Sequence, residues 1–351
     1  MHWADLPAIR RLRGETARLD MPEGIISDLR PMRTALKGII PWLGNVWTYL
    51  LVKEGDVRAF AQARPRRDSH TWDVVYLAYG RKDRIGSSES RDAMWSALLD
   101  AITRTAGRRR ATRLFARVPD NADAMIALRD AGYITYGRES LYVAPYHKTA
   151  RNAGEQPALR RQQGGETWAI HQLYTLTTPK AMQFAEARTS IYWDLPRRDS
   201  ARCGYWIGEA HEVTAYARTL SGEHSHLIDV LFRPEEREQI PAFIQSVLAA
   251  LPAGEGDLVY VRTLAHQEEL GGILDALGFA PLIRQSLFVK YTTISVREAV
   301  PAFAPIPSLR RVAAGRVPSL SACIAAPIRL WRRITRPPRP QHGGELPFSP
   351  R

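Results

Sequence analysis

Apolar and polar positions along this chain follow two alternating periods. Trp47 to Val52 and Val57 to Ala63 are short apolar-rich runs on either side of Glu54-Gly55-Asp56, a hairpin signal. Thr71 to Ala78 is a third strand; the apolar run VVYLAY, Val74 to Tyr79, suits a central strand covered on both faces. Met94, Trp95, Leu98, Leu99 and Ile102 then recur at helical spacing, with Gly107 as the stop. Thr112 to Val118 reads as the next strand and Asp123 to Ala131 as a helix ending at Gly132. Segments around Tyr133 to Tyr136 and Ser140 to Val143 close the sheet. Ahead of all these, Ala4 to Leu19 has the pattern of an amphipathic helix with Leu6, Ile9, Leu12 and Ala17 inward, and Pro31 to Ile40 that of a second helix.

The second half runs through the same order. Helical segments are predicted around Thr167–Leu176 and Pro179–Arg188, and strands around Tyr205–Glu209, Glu212–Thr219 and Ser225–Phe232. A helix over Pro234–Leu251 follows, then a strand at Leu258–Thr263 and a helix at Gln267–Leu277. The order repeats because the residues repeat. Tyr49, Val57, Ala59, Ala61, Ser69, His70, Asp73 and Val74 match Tyr205, Val213, Ala215, Ala217, Ser225, His226, Asp229 and Val230 at a spacing of 156. Leu128, Gly132, Arg138, Ser140, Leu141 and Val143 match Leu274, Gly278, Arg284, Ser286, Leu287 and Val289 at a spacing of 146. Copy one therefore holds ten more residues between Tyr76 and Leu128. The expected division is one copy over 1–146, a polar linker at 147–157, a second copy over 158–292, and a tail from 293 to 351.

Charge changes the picture only at the end of the chain. The 351 residues carry a formal net charge of +13, and ten Arg against two Glu between Thr293 and Arg351 put most of it in the tail. That tail is dense in proline, which breaks any long element, so disorder is expected there, with nucleic-acid contact through its arginines as one function it could serve. Two cysteines, Cys203 and Cys323, make neither a disulfide framework nor a zinc set. No apolar run reaches the roughly 20 residues of a membrane span, and a cytoplasmic protein is expected.

The ordered pattern of helices, hairpin, central strand, basic loop, helix, strand, helix and strand resembles the GCN5-related N-acetyltransferase (GNAT) superfamily. The resemblance covers both copies, and Asn121, Ala124, Gly132 and Tyr133 sit where the family's Asn-x-x-Ala…Gly-Phe signature would put them. Copy two keeps Gly278 and Phe279 of that set, with Gln267 and Leu270 at the first two positions. The resemblance implies two tandem α/β domains, each a mixed, mostly antiparallel sheet flanked by helices. It also implies acyl-coenzyme A lying where the fourth and fifth strands splay apart, its pyrophosphate on the loop after strand four. The activity implied is transfer of an acetyl group from acetyl-CoA to a primary amine of a small molecule or peptide.

Carried onto this sequence, the cofactor site falls in copy one: Tyr76, Leu77 and Ala78 on strand four, then Arg81, Arg84, Gly86, Ser87 and Ser88 in the loop, with Asn121 beyond strand five. Arg84 stands at the first glycine position of the family loop, and three basic side chains keep an anion site there. The corresponding loop of copy two has Glu235, Glu236 and Glu238 and no glycine, so that copy is expected to bind no cofactor. Leu128 and Leu274 stand where the family has its tyrosine acid. Asp73 is the candidate base, although its twin Asp229 in the silent copy equally suits a structural pair. His70 and His226 read as sheet-packing residues, and Trp47 and Trp72 as core. No metal is expected. Two functions compete: an acyl-CoA-dependent N-acyltransferase and a catalytically silent tandem GNAT-fold binding module.

Overall fold

Among the described residues the strand-like runs assemble into one continuous 12-stranded sheet. The computed structural model describes residues 16–19, 21–26, 46–53, 55–66, 70–80, 91–120, 122–147, 158–195, 201–209 and 212–292. All lie in the unit Met1–Ser295; the remainder, Val296–Arg351, forms a second unit outside the described residues, and the expectations for the tail fall there.

The strands are β1 (Thr16–Arg18), β2 (Trp47–Lys53), β3 (Asp56–Pro65), β4 (Thr71–Tyr79), β5 (Arg113–Pro119) and β6 (Ile134–Pro145). Beyond the linker come β7 (Arg160–Arg161), β8 (Arg202–Glu209), β9 (Glu212–Ser221), β10 (Ser225–Phe232), β11 (Leu258–Leu264) and β12 (Ala280–Tyr291). Their order in the sheet is β2-β3-β4-β5-β12-β6-β11-β10-β9-β8-β7, with β1 added to β4. Only β4–β5 and β10–β11 are parallel; every other pairing is antiparallel.

That order contains an exchange. By sequence β6 closes copy one, yet it pairs with β11 of copy two; β12 closes copy two, yet it pairs with β5 of copy one. The crossed strands then pair with each other, Glu139 opposite Gln285, two residues 146 apart and equivalent in the repeat. Where segments around Tyr133–Tyr136 and Ser140–Val143 are expected to close the first copy's sheet, the strand that holds them stands beside β11, and the two repeats share one sheet. The cores mix accordingly. Phe288 of β12 is fully buried among Trp72, Leu114 and Leu128 of the first half, and Tyr142 of β6 packs against the core of the second.

The repeated glycine–aromatic pair has a backbone cause. Gly132 and Gly278 take φ of +79° and +85°. The amides after them, Tyr133 and Phe279, reach back to the carbonyls of Leu128 and Leu274 at 2.9 Å. These are the six-to-one bonds of a Schellman stop, which requires a residue that tolerates the left-handed region. The helices carry the apolar faces read above. Arg91–Arg108 buries Trp95, Leu98, Leu99 and Ile102, and Ile240–Ala250 buries Phe243, Ile244 and Val247. The stretch Pro234–Gln239, expected as part of that second helix, is 3-10 instead, since Pro241 offers no N–H to continue an α-helical ladder across the junction. Thr16–Arg18, expected at the end of a helix, is strand β1; the rest of that helix and Pro31–Ile40 lie outside the described residues.

The exchange makes the halves mutually dependent. Phe288→Ala is expected to cost about 3–5 kcal/mol, the range for truncating a fully buried aromatic. Its urea transition should remain single, with no phase confined to the second half. Two resolved transitions would show that the halves fold independently.

Candidate functional site

Each parallel pair splays after a few residues, leaving backbone groups that need partners. β4 and β5 stay in register only over Thr71–Asp73 and Arg113–Phe115. Beyond that point the chain's own N-terminal segment enters the gap. β1 lies antiparallel on β4, Thr16 opposite Ala78, Ala17 opposite Leu77 and Arg18 opposite Tyr76. Leu19, 1% exposed, then spans the gap: its N–H donates to Val75 at 3.0 Å and its carbonyl accepts from Arg117 N–H at 2.9 Å.

The second splay opens after Asp229 and Arg262. Gln267, three residues past β11 and at the family's asparagine position, bridges it. Its Nε2 donates to the Val230 carbonyl at 2.8 Å and its Oε1 accepts from Leu264 N–H at 3.1 Å. Outside it, Arg233 is bonded to Glu212 at 2.6 Å and Arg237 pairs with Glu269 at 3.6 Å.

A pocket of about 40 Å³ sits beside this second splay, on the face covered by Thr167–Thr177 and the turn Ser190–Trp193. Its wall is charged. Cross-strand neighbours Arg218, Asp229 and Arg262 cross three strands. Arg262 holds Asp229 at 2.6 Å and reaches Glu139 at 3.8 Å; Glu139 also faces Arg117 at 3.3 Å. Arg188 holds Glu186 at 2.7 Å, and Tyr174 donates its hydroxyl to the same carboxylate at 2.8 Å. Burial pushes the Tyr136 phenol well up, with Glu186 adding to the effect. Burial acts the same way on Tyr192, but Arg188 and Arg218 outweigh it and hold that phenol below its usual range.

Comparison with known structures fits this architecture. A GCN5-related N-acetyltransferase from Sphaerobacter thermophilus superposes with a TM-score of 0.52 at 15% identity, over 84% of this chain and 94% of that one. The fold is the GNAT fold. A tandem GNAT protein from the clavulanic acid biosynthesis pathway aligns over 84% of this chain and 95% of its own at 16% identity, with a TM-score of 0.47. A functionally unknown protein from Staphylococcus epidermidis aligns over 69% and 94% at 12% identity, with a TM-score of 0.46. No family model and no curated protein matches the sequence.

A GNAT fold implies acyl-coenzyme A in a splay, and the described residues do not fit that group in either half. In the first, the strand-four backbone of Tyr76, Leu77 and Ala78, expected to take the cofactor, is paired with β1. In the second, Gln267 closes the gap, both loop arginines are engaged by carboxylates, and Glu235 and Glu236 stand in the first turn. Arg81, Arg84, Gly86, Ser87, Ser88 and Asn121 lie outside the described residues.

Asp73 is not laid out as a base. It is 7% exposed and takes two bonds from Arg66, at 2.8 and 2.6 Å, with Arg64 at 3.8 Å. Burial alone would raise its carboxyl, but Arg66 and Arg64 overcome that and hold it below the usual carboxylate range. A base needs the opposite tuning. His226 is buried as expected, whereas His70 is exposed. Trp72 is core and stacks on Trp47, whose other contact is the Arg109 guanidinium at 3.9 Å.

Sequence reading missed Arg117, Glu139, Arg188, Arg218 and Arg262. For the four on strands the signal is a charge inside an apolar run at the phase that faces inward, as in LVYVRTL around Arg262; Arg188, just past the helix Lys180–Glu186, carries no such signal. Asp73→Asn should cost about 3 kcal/mol, because Arg66 then faces no buried counter-charge. The pH dependence has a defined sign. A depressed folded pKa gives stability that is present above the unfolded value near about 3.9 and lost as pH falls through the folded pKa. Urea midpoints of wild type and variant should therefore converge below about pH 4. A gap that stays constant down to pH about 2 would remove the ion-pair explanation.

Proposed function

We propose that this protein is a GNAT-fold binding module for a small polar ligand, seated in the charged pocket beside the β10–β11 splay. The observation that carries this reading is the occupation of the first splay by β1 and Leu19. Acyl transfer depends on holding thioester and amine in a fixed near-attack geometry, with donors aimed at the developing oxyanion. Here the Val75 carbonyl and Arg117 amide that line the gap are already paired with Leu19, and Asp73 is committed to arginine. The pocket, by contrast, gathers four guanidiniums and three carboxylates in a small concave space, the kind of constellation that marks a ligand site.

One observation favours a second reading, acetyl transfer from acetyl-CoA to the amine of a small molecule or peptide. β1 is only three residues long, and without it the parallel β4–β5 pair would splay as a GNAT cleft does.

Calorimetric titration of acetyl-CoA into the full chain and into Leu19→Pro separates the two. Proline removes the N–H that donates to Val75. Neither protein is expected to bind at millimolar concentrations. Binding by wild type would overturn the module reading. Binding by Leu19→Pro alone would make β1 a plug over a working cleft and put the acyltransferase in its place.

A further inference from the structure

Three of the four guanidiniums around the pocket are matched to carboxylates: Arg262 to Asp229, Arg188 to Glu186 and Arg117 to Glu139. Arg218 is the exception. Among the described residues its guanidinium makes no ion pair and no hydrogen bond, and its Nε is buried without an acceptor. Its one close partner is the Tyr192 ring, 5.1 Å from its central carbon. Asp229, its neighbour across the strands, gives Oδ2 to Arg262 instead.

We infer that the pocket is a binding site for a small monocarboxylate, with Arg218 as the residue that takes it. The inference rests on reading the pocket, rather than either splay, as the ligand site. Charge argues for a monoanion. Four guanidiniums against three carboxylates leave an excess of one, and the partly buried Arg218, its Nε without an acceptor, is the cation left over. A dianionic phosphate would leave a net negative charge beside Glu139, Glu186 and Asp229. Shape argues for a carboxylate, whose two oxygens match the planar donor fork of arginine. Size argues for a short one. The inner space of about 40 Å³ has the volume of a few ordered waters, which suits a short carboxylate such as formate or acetate. The Tyr192 ring flanks the same space, 4.4 Å from the Arg188 guanidinium carbon and 5.1 Å from that of Arg218.

The test is calorimetry on the full chain with sodium acetate replacing chloride at constant ionic strength, with inorganic phosphate as the comparator. Wild type should bind one acetate saturably and phosphate more weakly. Arg218→Gln should weaken acetate about tenfold or more with an unchanged far-ultraviolet dichroism spectrum, consistent with loss of a charge-assisted pair. If that variant does not fold, Arg218→Lys keeps the charge without the fork and should bind several-fold more weakly than wild type. Absence of saturable acetate binding, equal affinity in the folded Arg218 variant, or tighter binding of phosphate would each overturn the inference. Acetyl-CoA binding in the parallel titration would overturn the module reading and leave the acetate result to stand or fall by itself.

Discussion

Glu139 is the side chain on which the two halves converge. It is 3% exposed and lies on β6 opposite its own repeat equivalent, Gln285 on β12. Its two oxygens face Arg117 of the first half and Arg262 of the second. Those arginines are equivalent by register: Arg262 pairs with Leu141 and Arg117 with Leu287, and the two leucines match in the repeat. A carboxylate this deep is tolerable only with such partners. The exchange of β6 and β12 is what brings all three together.

The same exchange explains why the charge lies in the middle of the molecule. Apolar cores cover the other face of each half-sheet, around Trp72 and Leu99 in one and Val230 and Phe243 in the other. On the opposite face a polar seam runs from Arg218 through Asp229, Arg262, Glu139 and Arg117 toward Arg66 and Asp73. An ion pair of this kind adds little net stability over a well-packed apolar pair, but losing one member is expensive. Such a seam ties together strands of both halves, and among the described residues it pairs each of its arginines except Arg218 with a carboxylate.

The two splays show how one geometric problem receives two solutions. Parallel strands that part leave amides and carbonyls in the interior without partners. The first half supplies backbone, from β1 and Leu19; the second supplies a side-chain amide, from Gln267. Both satisfy groups that a GNAT cofactor would otherwise meet.

Much of this was legible in the residues themselves. Period-two apolar runs located the long strands, Gly132 and Gly278 marked left-handed helix stops, and the two-spacing repeat gave a doubled GNAT fold, because these signals depend on neighbours close in the chain. Asp73, read as a base, and Tyr76 to Ala78, read as a cofactor edge, meet partners that local pattern does not show. Whether a carboxylate is free depends on Arg66 and Arg64 reaching it, and whether a strand edge is free depends on a segment some sixty residues earlier lying along it. Strand exchange is likewise invisible to pattern, since β6 and β12 carry the same sequence motif and would complete either half-sheet. The sequence alone determined which elements exist and that they come twice. Only the tertiary structure decided which copy each last strand joins, which gaps are filled, and that Arg218 has no counter-charge among the described residues, because all three are matters of pairing between residues far apart in the chain.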